Sequence, residues 1–302
     1  RANVYLPLSD RKQWVTGSGR LRINGTTINM ATGQEEALGG FDAEIGGQLF
    51  ADGQDFEVRG FAGGYYFDGD NGSVAGPQAR LEARWYDTFG PGSQLTLGAG
   101  IRHDDVRDTD ISGFLRLRVP LGNSAGHSGY SGIDRMMVNR VMRDEDIVTK
   151  TSTILEPVRV ENLLGSTTTI QFTNANGAGG ESGAEGDEAT FADGLAAVAG
   201  VNGIVVAQNG TDITAPGGGF TIPDGSSIIG GGHTATVFGA WSGEYEDYTA
   251  PGDKPTFISN DSGGPLFMLG EDNYVGGIAL AGDFSDGFYG SGITRWHLDG
   301  NM

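Results

Sequence analysis

The sequence predicts an all-β chain built in two manners: an antiparallel ladder of hairpins over residues 1–122, then short parallel-type strands over residues 165–302. Three observations predict it. Apolar and polar residues alternate with a period of two through the first part, as they do in a strand whose successive side chains point to opposite faces. The second part breaks into β-rich runs of three to seven residues bounded by Gly, Asn or Asp, which is strand length rather than helix length. Finally, 54 glycines and only 37% hydrophobic residues among 302 depart from the make-up of an ordinary cytosolic globule.

The elements of the first part follow in order. Val15 to Ile23 sets Arg20 and Arg22 against Leu21 and Ile23, and Phe41 to Leu49 sets Asp42, Glu44 and Gln48 against Phe41, Ala43, Ile45 and Leu49. Glu57 to Phe67 is less regular and rich in aromatics. Ala79 to Asp87 is the clearest strand, with Ala79, Leu81, Ala83 and Trp85 on one face and Arg80, Glu82 and Arg84 on the other. Leu95 to Arg102 and Leu115 to Leu121 repeat the pattern, and Phe89 to Ser93 and Phe67 to Gly72 read as the turns between strands. Charges therefore fall in mid-strand on one face. Alternation alone fits a soluble antiparallel sheet as well as a membrane barrel. Trp14, Tyr65, Tyr66, Phe67, Trp85 and Tyr86 lie near strand ends, where a barrel carries its interfacial aromatics.

Composition narrows the functional classes. A formal net charge of −20 argues against nucleic acid or anionic headgroups as partners, because both repel an acidic surface. The absence of cysteine removes disulfides, thiol catalysis and thiolate metal sites, and suits an oxidising compartment. No run of about 18 apolar residues is present, so any membrane crossing has to use strands. Arg1 opens the chain with no charged-then-apolar leader, and Trp296 to Met302 ends it without a cap; a piece of a longer protein is expected.

Several short motifs in the first part carry a resemblance: Asn3 to Leu8, Gly40 to Gly46, Val74 to Arg84, His103 to Arg107, and Leu115 to Gly122. Over residues 1–122 they resemble, in order, the later strands of the inverse autotransporter barrel of the intimin and invasin family. About six or seven strands are present where that family resembles a twelve-stranded closed barrel. An incomplete transmembrane β-barrel portion is therefore expected, because open edges cannot face lipid. The resemblance implies outer-membrane lipid, barrel-assembly machinery and periplasmic chaperones as partners.

Residues 123–164 read as a connector. Asn123 to Gly132 is a Gly/Ser stretch, and Ile133 to Lys150 mixes charges with Met136, Met137, Val138, Val141, Met142, Ile147 and Val148, leaving helix and strand both open. The resemblance implies that this segment threads the barrel; an ordinary linker is the alternative.

From Thr151 onward three basic residues, Arg159, Lys254 and Arg295, face nineteen acidic ones. The β-rich runs are Thr167 to Phe172, Gly203 to Ala207, Gly219 to Ile222, Ser226 to Ile229, Thr234 to Phe238, Thr256 to Ser259, Pro265 to Leu269, Tyr274 to Leu280 and Gly292 to Thr294. Short strands separated by turns suit the rungs of a right-handed parallel β-helix. Within Glu188 to Gly200, Ala189, Ala192, Leu195, Ala196 and Ala199 keep helical spacing behind Asp187 as N-cap, which predicts a short capping helix. Phe220 to Gly231, Lys254 to Ile258, Asn273 to Ile278 and Gly287 to Ile293 resemble the entry coils of pectate-lyase-like β-helices in surface adhesins and polysaccharide-active proteins.

Candidate chemistry is sparse. Asn260 to Leu266 looks like the nucleophile motif of chymotrypsin-like proteases, with Ser262 as nucleophile, and Ile228 to Gly231 echoes their mature N-terminus. The thirty or so residues between the two motifs leave no room for the fold, and His233 in the gap lacks the usual context. His103, Asp104 and Asp105 mix imidazole and carboxylates, yet strand neighbours point to opposite faces. Asp68, Asp70 and Asn71, or Asp283 and Asp286, offer calcium-type oxygens without the twelve-residue loop pattern. Asp261, Asp272, Asp283, Asp286 and Asp299 are glycosidase-type carboxylates by residue type only. No catalytic, cofactor or metal residue is assigned, and no cofactor is expected. The resemblance implies an outer-membrane anchor and export conduit displaying an acidic β-helical passenger, an adhesin for an unidentified polysaccharide or protein, rather than an enzyme. The alternative is a secreted β-helical polysaccharide lyase or hydrolase with a soluble N-terminal β-module.

Overall fold

The structure is a computed structural model that describes residues 1–8, 11–53, 55–90, 92–119, 148–161, 163–208 and 212–301. It is all-β, with antiparallel sheets and, among the described residues, one short helix. The chain divides into two units, Arg1–Gln13 with Glu35–Ser152, and Trp14–Gln34 with Thr153–Met302.

In the first unit the alternating runs form one antiparallel sheet of six strands. These are β1 (Ala2–Tyr5), β5 (Gly39–Asp52), β6 (Phe56–Gly69), β7 (Gly72–Tyr86), β8 (Gln94–Asp104) and β9 (Asp108–Arg118), in that spatial order. Among the described residues its end strands β1 and β9 are not paired with each other. Tight turns fix the register. Asp108 at φ 56 lets β8 turn straight into β9, and Asp104 holds that turn by accepting bonds from the Val106 and Arg107 amides. Pro77 sits in β7 where the strand pairs with β6 alone, opposite Gly64, before pairing with β8 begins at Gln78. A proline is tolerated there because no ladder donor is required of it.

The second unit combines a hairpin layer with three parallel sheets. β12 (Ile170–Ala178), β13 (Ile204–Ala207), β16 (Ser227–Gly230), β21 (Asn273–Gly276) and β24 (Trp296–Asp299) pair in parallel in the first. β14 (Ile213–Thr214), β19 (Thr256–Asn260) and β22 (Ala279–Asp283) form the second. β15 (Phe220–Thr221), β20 (Phe267–Met268) and β23 (Phe288–Tyr289) form the third. From β13 to β24 the chain visits first, second and third sheet in the same order three times. Partners in the first sheet lie 23 positions apart at Ile204↔Ser227 and Asn273↔Trp296, but 47 apart at Ser227↔Tyr274. The longer interval contains the antiparallel hairpin of β17 (Thr234–Gly239) and β18 (Tyr245–Thr249), which joins β11 (Val158–Val160).

Both faces of the first parallel sheet are buried along β13, β16 and β21, which explains continuous apolar runs such as Ile204-Val205-Val206-Ala207. One face packs Ile170, Phe172, Ile204, Val206 and Ile229 on Val158, Val237, Ile28 and Met30. The other packs Val205, Ile228 and Val275 with Phe220, Phe257 and Phe267. Phe191, the first residue of helix α1 (Phe191–Val198), joins that aromatic cluster at 4.7 Å from Phe257 and 4.8 Å from Phe220.

Several sequence expectations need correction. Val15 to Ile23 is not one strand: β2 (Lys12–Trp14) ends before a turn with Gly17 at φ 74, and β3 (Arg20–Asn24) starts a hairpin with β4 (Thr27–Ala37). The strand expected at Leu115 to Leu121 is β9, which already starts at Asp108. Part of the supposed connector is strand: β10 (Thr149–Glu156) and, after Pro157, β11. Residues 120–147, which hold most of that connector, lie outside the described residues. Thr190, not Asp187, caps α1, since its extended backbone (φ −64, ψ 154) aims its hydroxyl at the Asp193 amide, while Asp187 binds Ser182. Tyr274 to Leu280 splits at Gly277, whose φ of 72 turns the chain from β21 into β22. Gly292 to Thr294 is not a strand; β24 follows it instead.

Candidate functional site, an inside-out sheet

The six-strand sheet places its side chains in cross-strand rows fixed by the register. One set of rows is apolar: Ile45, Ala62, Ala79, Ile101 and Ile111 lie opposite one another across five strands, and Val58, Ala83, Leu97 and Leu115 across four. The other set is polar, with Glu57, Arg84, Thr96 and Arg116 in one row and Gln48, Arg59 and Glu82 in the next. A soluble sheet buries the first set and exposes the second. Here Ile45 is 83% and Leu115 70% exposed, while Glu82 is 1% and Asp42 3% exposed. The carboxylates are hidden and the aliphatics are not.

The hidden face is stable because each charge has a partner. Glu82 accepts from Arg80 and from Arg84 at 2.5 and 3.0 Å. Arg80 also reaches Glu44 at 3.0 Å and lies 4.1 Å over the Phe61 ring. Tyr86 donates to Glu57 at 2.6 Å, and Asp42 accepts from Asn3 and Tyr5 at 2.9 and 2.7 Å. Arg102 pairs with Asp110 at 3.3 Å. Buried charges persist only when paired and hydrogen-bonded in this way. Phe114 lies over Gly98, where any Cβ would meet the ring at 2.3 Å. A concavity of about 200 Å³ opens on this face between Arg80, Arg102, Glu44, Gln78 and Ser112.

The middle of the exposed face carries no charge. From the row of Ile45 and Ile101 to the row of Val58 and Leu97, the residues in register on β5 to β9 are apolar; beyond these rows His103 lies opposite Thr109 and Asp52 opposite Phe56. Aromatics mark both limits: Phe41 and Tyr66 are 6.1 Å apart, Phe56 and Trp85 5.1 Å. A bulge between Gln48 and Phe50 keeps Leu49 on this face, over Gly60.

The chemical candidates named from sequence are separated from one another. Ser262 is exposed on a turn whose backbone Asp261 holds through the Gly263 and Gly218 amides. His233 binds the Tyr274 hydroxyl at 2.7 Å. His103 meets Thr109, whereas buried Asp104 accepts from Tyr65 at 2.7 Å and from Arg107. The Asp70 carboxylate binds Lys12 at 3.0 Å, and the Asp70 and Asn71 amides donate to Glu36. Asp272 holds the Leu164 and Gly165 amides and Arg295, and Asp286 accepts from Ser285 at 3.2 Å. Asp283 ends β22. Among the described residues no three metal-ligating side chains converge. The keystone carboxylates Glu36 and Glu156 were not singled out by sequence, since nothing local distinguishes them from exposed acids.

No family model, curated protein or solved structure matches this chain.

Proposed function

We propose that the six-strand sheet is part of a transmembrane β-barrel in an outer membrane. The chain would then anchor there and display its second unit, a right-handed parallel β-helix, at the cell surface as an adhesive passenger. The observation that carries this reading is the inversion of the sheet: exposed aliphatic rows over buried, mutually paired charges. Hydrocarbon on one side and water on the other ask for that pattern.

Dimensions agree with it. Phe56 and Tyr66 bound the apolar face of β6 ten residues apart, about 34 Å along a strand; at the usual barrel tilt of about 40° this spans about 26 Å, close to the apolar band of about 25 Å in such barrels. Further strands must lie between β9 and β1, because unpaired backbone groups cannot face lipid. In the second unit the support is the repeated passage through three parallel sheets. The work proposed needs no reacting group; it consists of closing backbone bonds around a pore and stacking rungs beyond it.

The test uses the tryptophans. Of Trp14, Trp85, Trp241 and Trp296, Trp85 alone sits in the apolar rows of the sheet. Single-tryptophan variants in vesicles with brominated acyl chains should show strong quenching at Trp85 and little at Trp241 or Trp296. Equal quenching at Trp85 and Trp241, or none at either, removes the reading.

A further inference from the structure

The hairpin layer of the second unit has two unlike faces. Ala235 and Val237 of β17 are buried in the core with Val158 and Val160 of β11. Their neighbours along each strand point the other way. On that outer face the register sets Arg159, Phe238 and Tyr245 in one cross-strand row, and Thr236 and Asp247 in the next. Strand β17 is the middle one, so Phe238 is flanked by both partners: the Tyr245 ring is 5.9 Å away, and Arg159 Cζ lies 5.9 Å from the Phe238 ring centre. Tyr245, at 65%, and Trp241 of the connecting turn, at 60%, are the two most exposed aromatic side chains among the described residues of this unit.

Strands β11, β17 and β18 and the turn between the last two carry four charged side chains: Arg159, Glu244, Glu246 and Asp247. Two are occupied elsewhere, since Glu244 accepts from the Gly17 amide at 2.6 Å and Glu246 from the Leu21 amide at 2.5 Å. Arg159 and Asp247 are left to the outer face, one of each sign. Asp247 is exposed and accepts from the Thr236 hydroxyl at 3.0 Å. Arg159 Nε is buried with no hydrogen-bond partner among the described residues, so the guanidinium holds donor capacity that the fold does not use.

We infer that this face is a platform for a neutral pyranose unit of a glycan; the inference names a ligand class for the adhesive unit proposed above and rests on that reading for its display at a cell surface. The complementarity is one of charge. A pyranose ring presents weakly positive C–H groups on one face, which suit the negative face of an aromatic ring, and hydroxyls at its edge that donate to a carboxylate and accept from a guanidinium. Rows on one face of a strand repeat about every 7 Å, so a hexose stacked on Tyr245 brings its edge to Asp247. A polyanionic glycan would meet Asp247 and the chain's formal charge of −20. A cationic peptide would meet Arg159, which already takes the cation's place beside Phe238. A neutral sugar meets neither obstacle.

Saturation-transfer NMR on the full chain, in a detergent without a sugar headgroup, tests this with the methyl α- and β-glycosides of glucose, galactose, mannose and N-acetylglucosamine. At least one should bind, with saturation concentrated on the C–H protons of one ring face. Tyr245→Val keeps strand propensity and removes the ring, and should weaken that binding about fivefold. Tyr289→Val, on β23, removes another exposed ring, 49% exposed, and should leave binding unchanged. Because a cross-strand aromatic pair also steadies a hairpin, Asp247→Asn at an exposed position supplies a second variant, expected to weaken binding about threefold. The platform is overturned if no glycoside binds, if both variants bind as the wild type does, or if methyl glucuronide or an oligolysine peptide is preferred to every neutral glycoside. Quenching at Trp85 decides the membrane anchor separately, so either result can fail without the other.

Discussion

Glu156 shows how one side chain can organise a fold. It is fully buried, yet its carboxylate accepts from the Thr32 hydroxyl at 2.7 Å, the Trp241 and Ser242 amides at 2.6 and 3.0 Å, and the Ser242 hydroxyl. Burial pushes its proton affinity up, but the bonds from Ser242, Thr32 and Trp241 outweigh this and hold the carboxyl below its ordinary range. A group depressed in the folded state stabilises it above the ordinary carboxylate range, and that contribution is lost as pH falls through and below it. Glu156→Ala should therefore cost about 3 kcal/mol at neutral pH by stranding buried donors. Urea titrations should show the gap between variant and wild type narrowing in acid. Nothing in the sequence marks Glu156, because its donors come from Thr32 and from residues 241–242, far away along the chain. By contrast, the paired Arg80, Glu82 and Arg84 were legible from alternation alone, since their partners sit two residues away on the same face.

At the scale of the element, legibility followed the length of uninterrupted alternation. The strands β5, β7 and β8 were readable because one face repeats over many residues. Strand β4 was not: its buried positions include Thr32 and Glu36 beside Ile28 and Met30, so hydrophobicity fails to trace its inner side. The helix was found but its start misplaced, because both Asp187 and Thr190 are capping residues by type and Thr190 is the one that stands directly before Phe191, the first helical residue. Which face of the long sheet is exposed is a collective property, and it yields the sharpest contrast. Leu97 and Leu155 are similarly exposed, at 52% and 59%. In a bilayer Leu97→Arg should cost about 1–2 kcal/mol, because it lies one row inside the aromatic limit set by Phe56 and Trp85, whereas Leu155→Arg should stay within about 0.5 kcal/mol. Folding titrations into lipid vesicles measure both; equal costs would mean that Leu97 faces water.

Over the whole molecule, the repeat that organises the second unit escaped the sequence for a simple reason. Only two of the four steps along the first parallel sheet keep the 23-residue interval; α1 lengthens the first to 34 positions at Ile170↔Ile204, and the hairpin lengthens the third to 47. The turn glycines and short runs were visible, while the period they serve was masked by what is interpolated. The acidic balance of this half was equally visible.

Those unequal intervals also give the second unit a mechanical signature. Pulled by its C-terminal end, a stack of this kind unspools one circuit at a time, and each circuit releases the contour hidden between successive passes. Freeing β24 yields 23 residues and freeing β21 yields 47, or about 80 Å and then about 165 Å at full extension. A single-molecule tether should record a short rip followed by one about twice as long. The hairpin that conceals the period from a reader of the sequence would thus announce itself as the long step under load.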